Sequence, residues 1–85
     1  MATFNGETLT KEAIEKTHKH FAGIYQGCID EVKSGDVRVN CPESYFAENE
    51  KRRDAHLNKI ASVTNFTFLQ RAYYIQTGKM VALLP

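Results

Sequence analysis

Ile14, His18, Phe21, Tyr25, Cys28 and Val32 recur at alternating steps of four and three. Steps of that size return to one side of a 3.6-residue turn, so the segment predicts one long helix with an amphipathic seam. Thr10 is suited to cap its start, with Lys11 and Glu12 in the first turn. Ser34-Gly35 is suited to end it, because glycine takes the left-handed conformation that closes a helix. The predicted helix covers residues 11 to 34, and Ile24 and Ile29 widen its buried stripe. Gly23 and Gly27 lie one turn apart inside it, each at a cost of about 1 kcal/mol relative to alanine. Either the backbone tolerates them, or they let another element approach closely.

The rest of the chain is punctuated clearly. Asn5-Gly6 is a strong hairpin signal, since both residues tolerate the positive φ of a type I′ turn. It joins Ala2-Thr3-Phe4 to Glu7-Thr8-Leu9 as two short strands. Asp36 to Val39 alternates, as a loop or one short strand. Asn40-Cys41-Pro42-Glu43 reads as a helix start, with Asn40 as the cap and Glu43 completing a capping box. That second helix is expected to run to about Ser62. It is apolar at both ends, through Tyr45 and Phe46 and then Leu57, Ile60 and Val63, and highly charged between Glu48 and Asp54. A third helix is expected to start at Thr67, which has capping-box spacing to Gln70. It buries Phe68, Leu69, Ala72, Tyr73 and Ile75, and stops at Gly78. Lys79 to Leu84 reads as an extended apolar run, best placed beside the N-terminal hairpin.

The expected fold is therefore α+β and mainly α, with three helices and a small antiparallel sheet made of an N-terminal hairpin and a C-terminal strand. A chain of 85 residues makes one compact domain with a thin core. Its 42% hydrophobic and 25% charged content is that of a globular protein, not of a disordered one. A thin core and a long amphipathic helix also make a homodimer a natural alternative to a monomer.

Composition excludes several classes of function. A net charge of +1 lacks the basic excess of a dedicated DNA-binding domain. Two cysteines are too few to staple a small secreted fold. No run is long enough to cross a bilayer, and the polar start with its turn signal does not read as a signal peptide. The expected setting is cytoplasmic, with reduced thiols and no membrane association.

Few residues suggest chemistry. His18 and His20 point about 200° apart on a helix, so they cannot share a metal, and His56 is distant in sequence. No metal site and no cofactor are expected. Cys28 falls on the seam as a small hydrophobe. Cys41 stands in the first turn of the second helix, where the macrodipole favours a thiolate; a dyad with His18, His20 or His56 is the remaining enzymatic alternative, although no pocket signature surrounds it in sequence. Thr77-Gly78-Lys79 lacks the spaced glycine and the following helix of a phosphate loop. The expectation is a protein that is not an enzyme.

Two surfaces remain as candidates for a partner. Lys51, Arg52 and Arg53 form a basic triplet able to contact phosphate backbones. Glu48, Glu50 and Asp54 lie within one turn and largely cancel its field, which favours a solvated face. Tyr73 and Tyr74 lie 100° apart on the third helix. Tyr73 continues the seam from Leu69, which leaves Tyr74 and Arg71, with Gln70 beside them, on a more exposed face. Exposed tyrosine beside arginine is the composition of an interface hot spot.

The segment Phe68-Leu69-Gln70-Arg71-Ala72-Tyr73-Tyr74-Ile75-Gln76-Thr77-Gly78, ending in Val81-Ala82-Leu83-Leu84, resembles the C-terminal part of small uncharacterised proteins of bacteria, phages and mobile elements. Phe4-Asn5-Gly6 before a Thr-capped helix fits the same likeness. The resemblance carries no residue roles. It implies a compact accessory protein that acts by binding. The expected function is thus a small protein-binding module that contacts another protein or a second copy of itself, with nucleic-acid binding through Lys51 to Arg53 as the alternative.

Overall fold

The computed structural model describes residues 2–81. Their elements follow the order β1 (Thr3–Phe4), β2 (Glu7–Thr8), α1 (Lys11–Lys33), α2 (Pro42–Leu57) and α3 (Phe66–Thr77). The chain is mainly α with a little β, as the residue patterns require. It divides into two compact units. One combines the start of the chain to Thr17 with the chain from Ser62 onward; the other is His18–Ala61.

In the first unit, β1 and β2 pair antiparallel with Thr3 opposite Thr8 and Phe4 opposite Glu7. The turn between them has φ of 51° at Asn5 and 80° at Gly6, both in the left-handed region that this turn demands. Leu9 N–H donates to the Ala2 carbonyl at 2.9 Å and extends the pairing by one step. Thr10 then caps α1, its hydroxyl accepting from Ala13 N–H at 3.1 Å.

Helix α3 packs on β1. Leu9, Ala72 and Tyr73 form the buried centre, with Ala2, Phe4, Ile14, Leu69 and Val81 packed against it. The Phe4 ring lies 5.4 Å from both Phe66 and Tyr73. The Tyr73 hydroxyl accepts from the Asn5 side-chain amide at 3.1 Å, so the turn residue that permits the hairpin also ties it to α3. Gln76 makes a second tie. Its Oε1 accepts from Thr10 N–H at 2.8 Å, and its Nε2 donates to the Thr8 carbonyl at 3.2 Å.

The ends of α3 differ from the sequence expectation on one side only. Its cap is Asn65, not Thr67: the Asn65 side chain accepts from the N–H groups of Thr67 and Phe68. Asn65 satisfies two of the helix's orphan donors at once, so the helix starts at Phe66. The other end stops at Gly78, with φ of 76°.

The expected C-terminal strand is not found over Lys79 to Val81, and the sheet has two strands among the described residues. The Gln70 side-chain amide donates to the Val81 carbonyl. Val81 also packs on the Leu9–Ala72–Tyr73 centre. A side chain and an apolar contact thus hold this stretch where a strand ladder was expected. The remainder of the expected strand lies outside the described residues.

In the second unit, α1 ends as its sequence predicts, with Gly35 at φ of 88°. The start of α2 departs from expectation. Cys41, not Asn40, occupies the cap position, at φ −127° and ψ 80°, and makes no side-chain cap bond. The physical reason is Pro42: the ring disfavours helical geometry in the preceding residue, so Cys41 cannot be the first helical position.

Helix α2 also ends earlier than expected, at Leu57. Lys59 N–H donates to the His56 carbonyl at 3.0 Å and Ile60 N–H to the Ala55 carbonyl at 2.9 Å, while Lys59 takes a φ of 58°. This pair of bonds is a Schellman ending with lysine where glycine is usual. It turns the chain before the expected apolar end can pack. Leu57 is exposed and Ile60 is 77% exposed.

Ile24 is likewise exposed, where it was expected to widen the α1 stripe; Ile29 is buried as expected. Gly23 and Gly27 do not mark a close approach, since a Cβ built on either meets nothing within 4 Å. Gly23→Ala and Gly27→Ala are therefore each expected to stabilise the protein by about 0.5–1 kcal/mol, measured by urea denaturation. A loss of stability in either variant would show that the face is covered.

Candidate functional site

In the first unit, the outer face of α3 carries the residues singled out from sequence. Phe66, Gln70 and Tyr74 fall at successive steps of four and so form one row along the helix. Tyr74 is 37% exposed, and Phe66 is also exposed. The Arg71 guanidinium lies over the Tyr74 ring, 5.3 Å from its centroid. This cation–π contact, worth about 0.5–1 kcal/mol at an exposed site, favours one arrangement of the two side chains. Tyr73, the neighbouring tyrosine, is buried. Gln70 is half-buried and engaged with the Val81 carbonyl, which makes it a support for the row and not an open contact.

Phe66 was missed by sequence reasoning because the helix was started one residue too late. The signal was present in Asn65, which is as good a cap as threonine and lies one position before an aromatic residue.

In the second unit, the basic triplet is divided. Arg53 turns toward α1, where its Nη1 donates to the Gln26 Oε1 at 2.7 Å and its Nε pairs with Asp54 at 3.0 Å. Arg52 pairs with Glu48 at 2.9 Å on an exposed face. Lys51 is exposed. Lys51 and Arg52 stay exposed, whereas half-buried Arg53 is used to join the two helices of the unit.

The same unit brings together two histidines that sequence reasoning left apart. His18 on α1 and His56 on α2 approach to 3.0 Å between their Nδ1 atoms. The His56 ring stacks on Phe21 at 5.4 Å and on Tyr25 at 5.9 Å between centroids. Burial lowers the pKa of both imidazoles; at His18 the neighbouring His56 and Lys59 add to the effect. His20 is exposed, with its ring edge-on to Phe21. Among the described residues, no group of three or more histidine, cysteine or acidic side chains is placed to hold a metal.

The two cysteines are free thiols in different settings. Cys41 is exposed, beside a cleft of about 480 Å³ lined by Cys41, Pro42, Glu43 and Ser44, with no histidine. Cys28 is half-buried against Tyr45, whose phenol pKa is raised first by its hydrogen bond to the Cys28 thiol. No described helix is long and apolar enough to cross a membrane. Comparison with protein-family models, curated proteins and solved structures finds no significant match to this chain.

Proposed function

We propose that this chain is a non-enzymatic protein-binding module that docks on another protein through the outer face of α3. The observation that carries this reading is exposed Tyr74 in cation–π contact with half-buried Arg71, in one row with exposed Phe66. Tyrosine and arginine are the side chains that most often dominate binding energy at protein interfaces. The helix beneath them is held at both ends: by Asn65 and Phe4 at its start, and by Gly78 and the Gln76 bonds at its finish. A face already ordered before contact loses less entropy on binding, which favours affinity. We infer a host or defence complex as the partner, in keeping with the small size and near-neutral charge of the chain. The divided basic triplet gives the nucleic-acid alternative little support.

The test is affinity capture from a lysate of the source organism, followed by a dissociation constant for the recovered protein. Tyr74→Ala and Arg71→Ala are each expected to weaken that binding by about 2 kcal/mol, roughly thirtyfold. Lys51→Ala and Arg52→Ala should leave it unchanged. Equal affinity of Tyr74→Ala and wild type would overturn the reading. So would the absence of any captured protein combined with a monomeric mass by light scattering.

A further inference from the structure

The His18–His56 contact joins α1 and α2 through two titratable rings. A hydrogen bond between two Nδ1 atoms needs one of them protonated and the other bare. The 3.0 Å separation suits such an N–H···N bond. The bond therefore exists when both rings are neutral, or when one is an imidazolium donating to the other. It cannot exist when both are charged, because both Nδ1 atoms then carry protons and the rings repel.

The surroundings sharpen this limit. His18 is 3% exposed, so little water reaches it to stabilise a charge. His56 stacks on the ring faces of Phe21 and Tyr25. On α2, the Arg53 cation stands one turn before His56, already engaged by Asp54 and Gln26. Beyond the end of α2, the Lys59 charge acts on His18 and disfavours its protonation. On α1, Glu15 and Lys19 flank His18 in sequence, and His20 presents its ring to Phe21.

We propose that the His18–His56 pair is an acid-operated latch that holds α2 to α1 near neutral pH and releases it when both rings are protonated. Release separates His56 from Phe21 and Tyr25 and uncovers their ring faces. The direction follows from linkage. Both imidazoles bind protons less readily in the docked state than in the open one. Docking is then at full strength above the ordinary imidazole value of about 6.5. It weakens as the pH falls through that value toward the lowered values of the docked pair. Each proton taken up on opening steepens the loss by up to about tenfold per pH unit.

The experiment follows the full chain from pH 8 to pH 4.5, recording imidazole nitrogen shifts and hydrogen exchange of the α2 amides. In wild type, both rings should titrate below the ordinary value. The docking equilibrium from α2 exchange should fall with a slope approaching a hundredfold per pH unit, the limit for two protons. His56→Phe keeps an aromatic ring against Phe21 and Tyr25 but removes one proton, so its slope should drop to about tenfold or less. His20→Asn, at an exposed ring, should keep the wild-type slope. Titration of His18 and His56 at or above the ordinary value in wild type overturns the latch, whether or not His56→Phe folds. So does a slope that follows His20, or α2 exchange whose docking equilibrium does not change between pH 7.5 and pH 5.

Discussion

Tyr73→Ala is expected to cost about 3–5 kcal/mol, the range for removing a large buried aromatic side chain. Tyr73 is buried in the centre of the first unit, with Leu9 and Ala72 beside it. Its ring meets Phe4, and its hydroxyl accepts from Asn5 in the hairpin turn. One substitution thus removes a core ring, an aromatic pair and the tie between α3 and the turn. Small domains are stable by only about 5–15 kcal/mol, so this loss takes a large share of the margin. Tyr73→Phe separates the contributions, since it keeps the ring and deletes only the bond to Asn5; its expected cost is about 0.5–1.5 kcal/mol. Urea denaturation followed by circular dichroism measures both. If the two variants proved equally stable, the ring would not be the centre of this core.

Ile29→Ala is expected to produce the other large loss, about 2–5 kcal/mol, in the second unit. Ile29 is 1% exposed, the least accessible large apolar side chain of α1. Much of the rest of that unit's inner surface is polar or aromatic: Gln26 with Arg53, His18 with His56, Cys28 with Tyr45. Ile29→Val, which removes one methylene, should cost about 0.5–1.5 kcal/mol by the same denaturation. Ile24→Ala, on the exposed side of the same helix, should cost much less than Ile29→Ala. A cost for Ile24 as large as that for Ile29 would contradict this difference in burial between the two sides of α1.

Turn and cap chemistry made much of this fold legible. Asn5-Gly6, Thr10, Gly35 and Gly78 all stand where their backbone preferences place them. The misplaced boundaries have local causes. Pro42 excludes its predecessor from the helix, and Lys59 takes a left-handed conformation that no residue preference announces. The face α2 turns toward α1 was harder to read, because it is not apolar. Asn49, Arg53 and His56 recur at steps of four and three, which is a helical seam written in polar residues. A search for hydrophobic periodicity passes over it and selects Leu57 and Ile60, which are exposed. Pairing of His18 with His56 was illegible for the same reason, since sequence distance says nothing about two helices that meet. On α3, Tyr74 and Arg71 followed directly from the 100° step between adjacent residues, whereas Phe66 was hidden by the misplaced cap.

The most direct test of the docking face replaces Tyr74 with a photocrosslinking phenylalanine derivative and irradiates the full chain in a lysate of its source. The reading predicts a discrete crosslinked adduct with one protein, or with a second copy of this chain, from position 74. The same derivative at position 51, on the exposed face of α2, should give none. Crosslinking from position 51 but not from position 74 would contradict the assignment of the interface to α3.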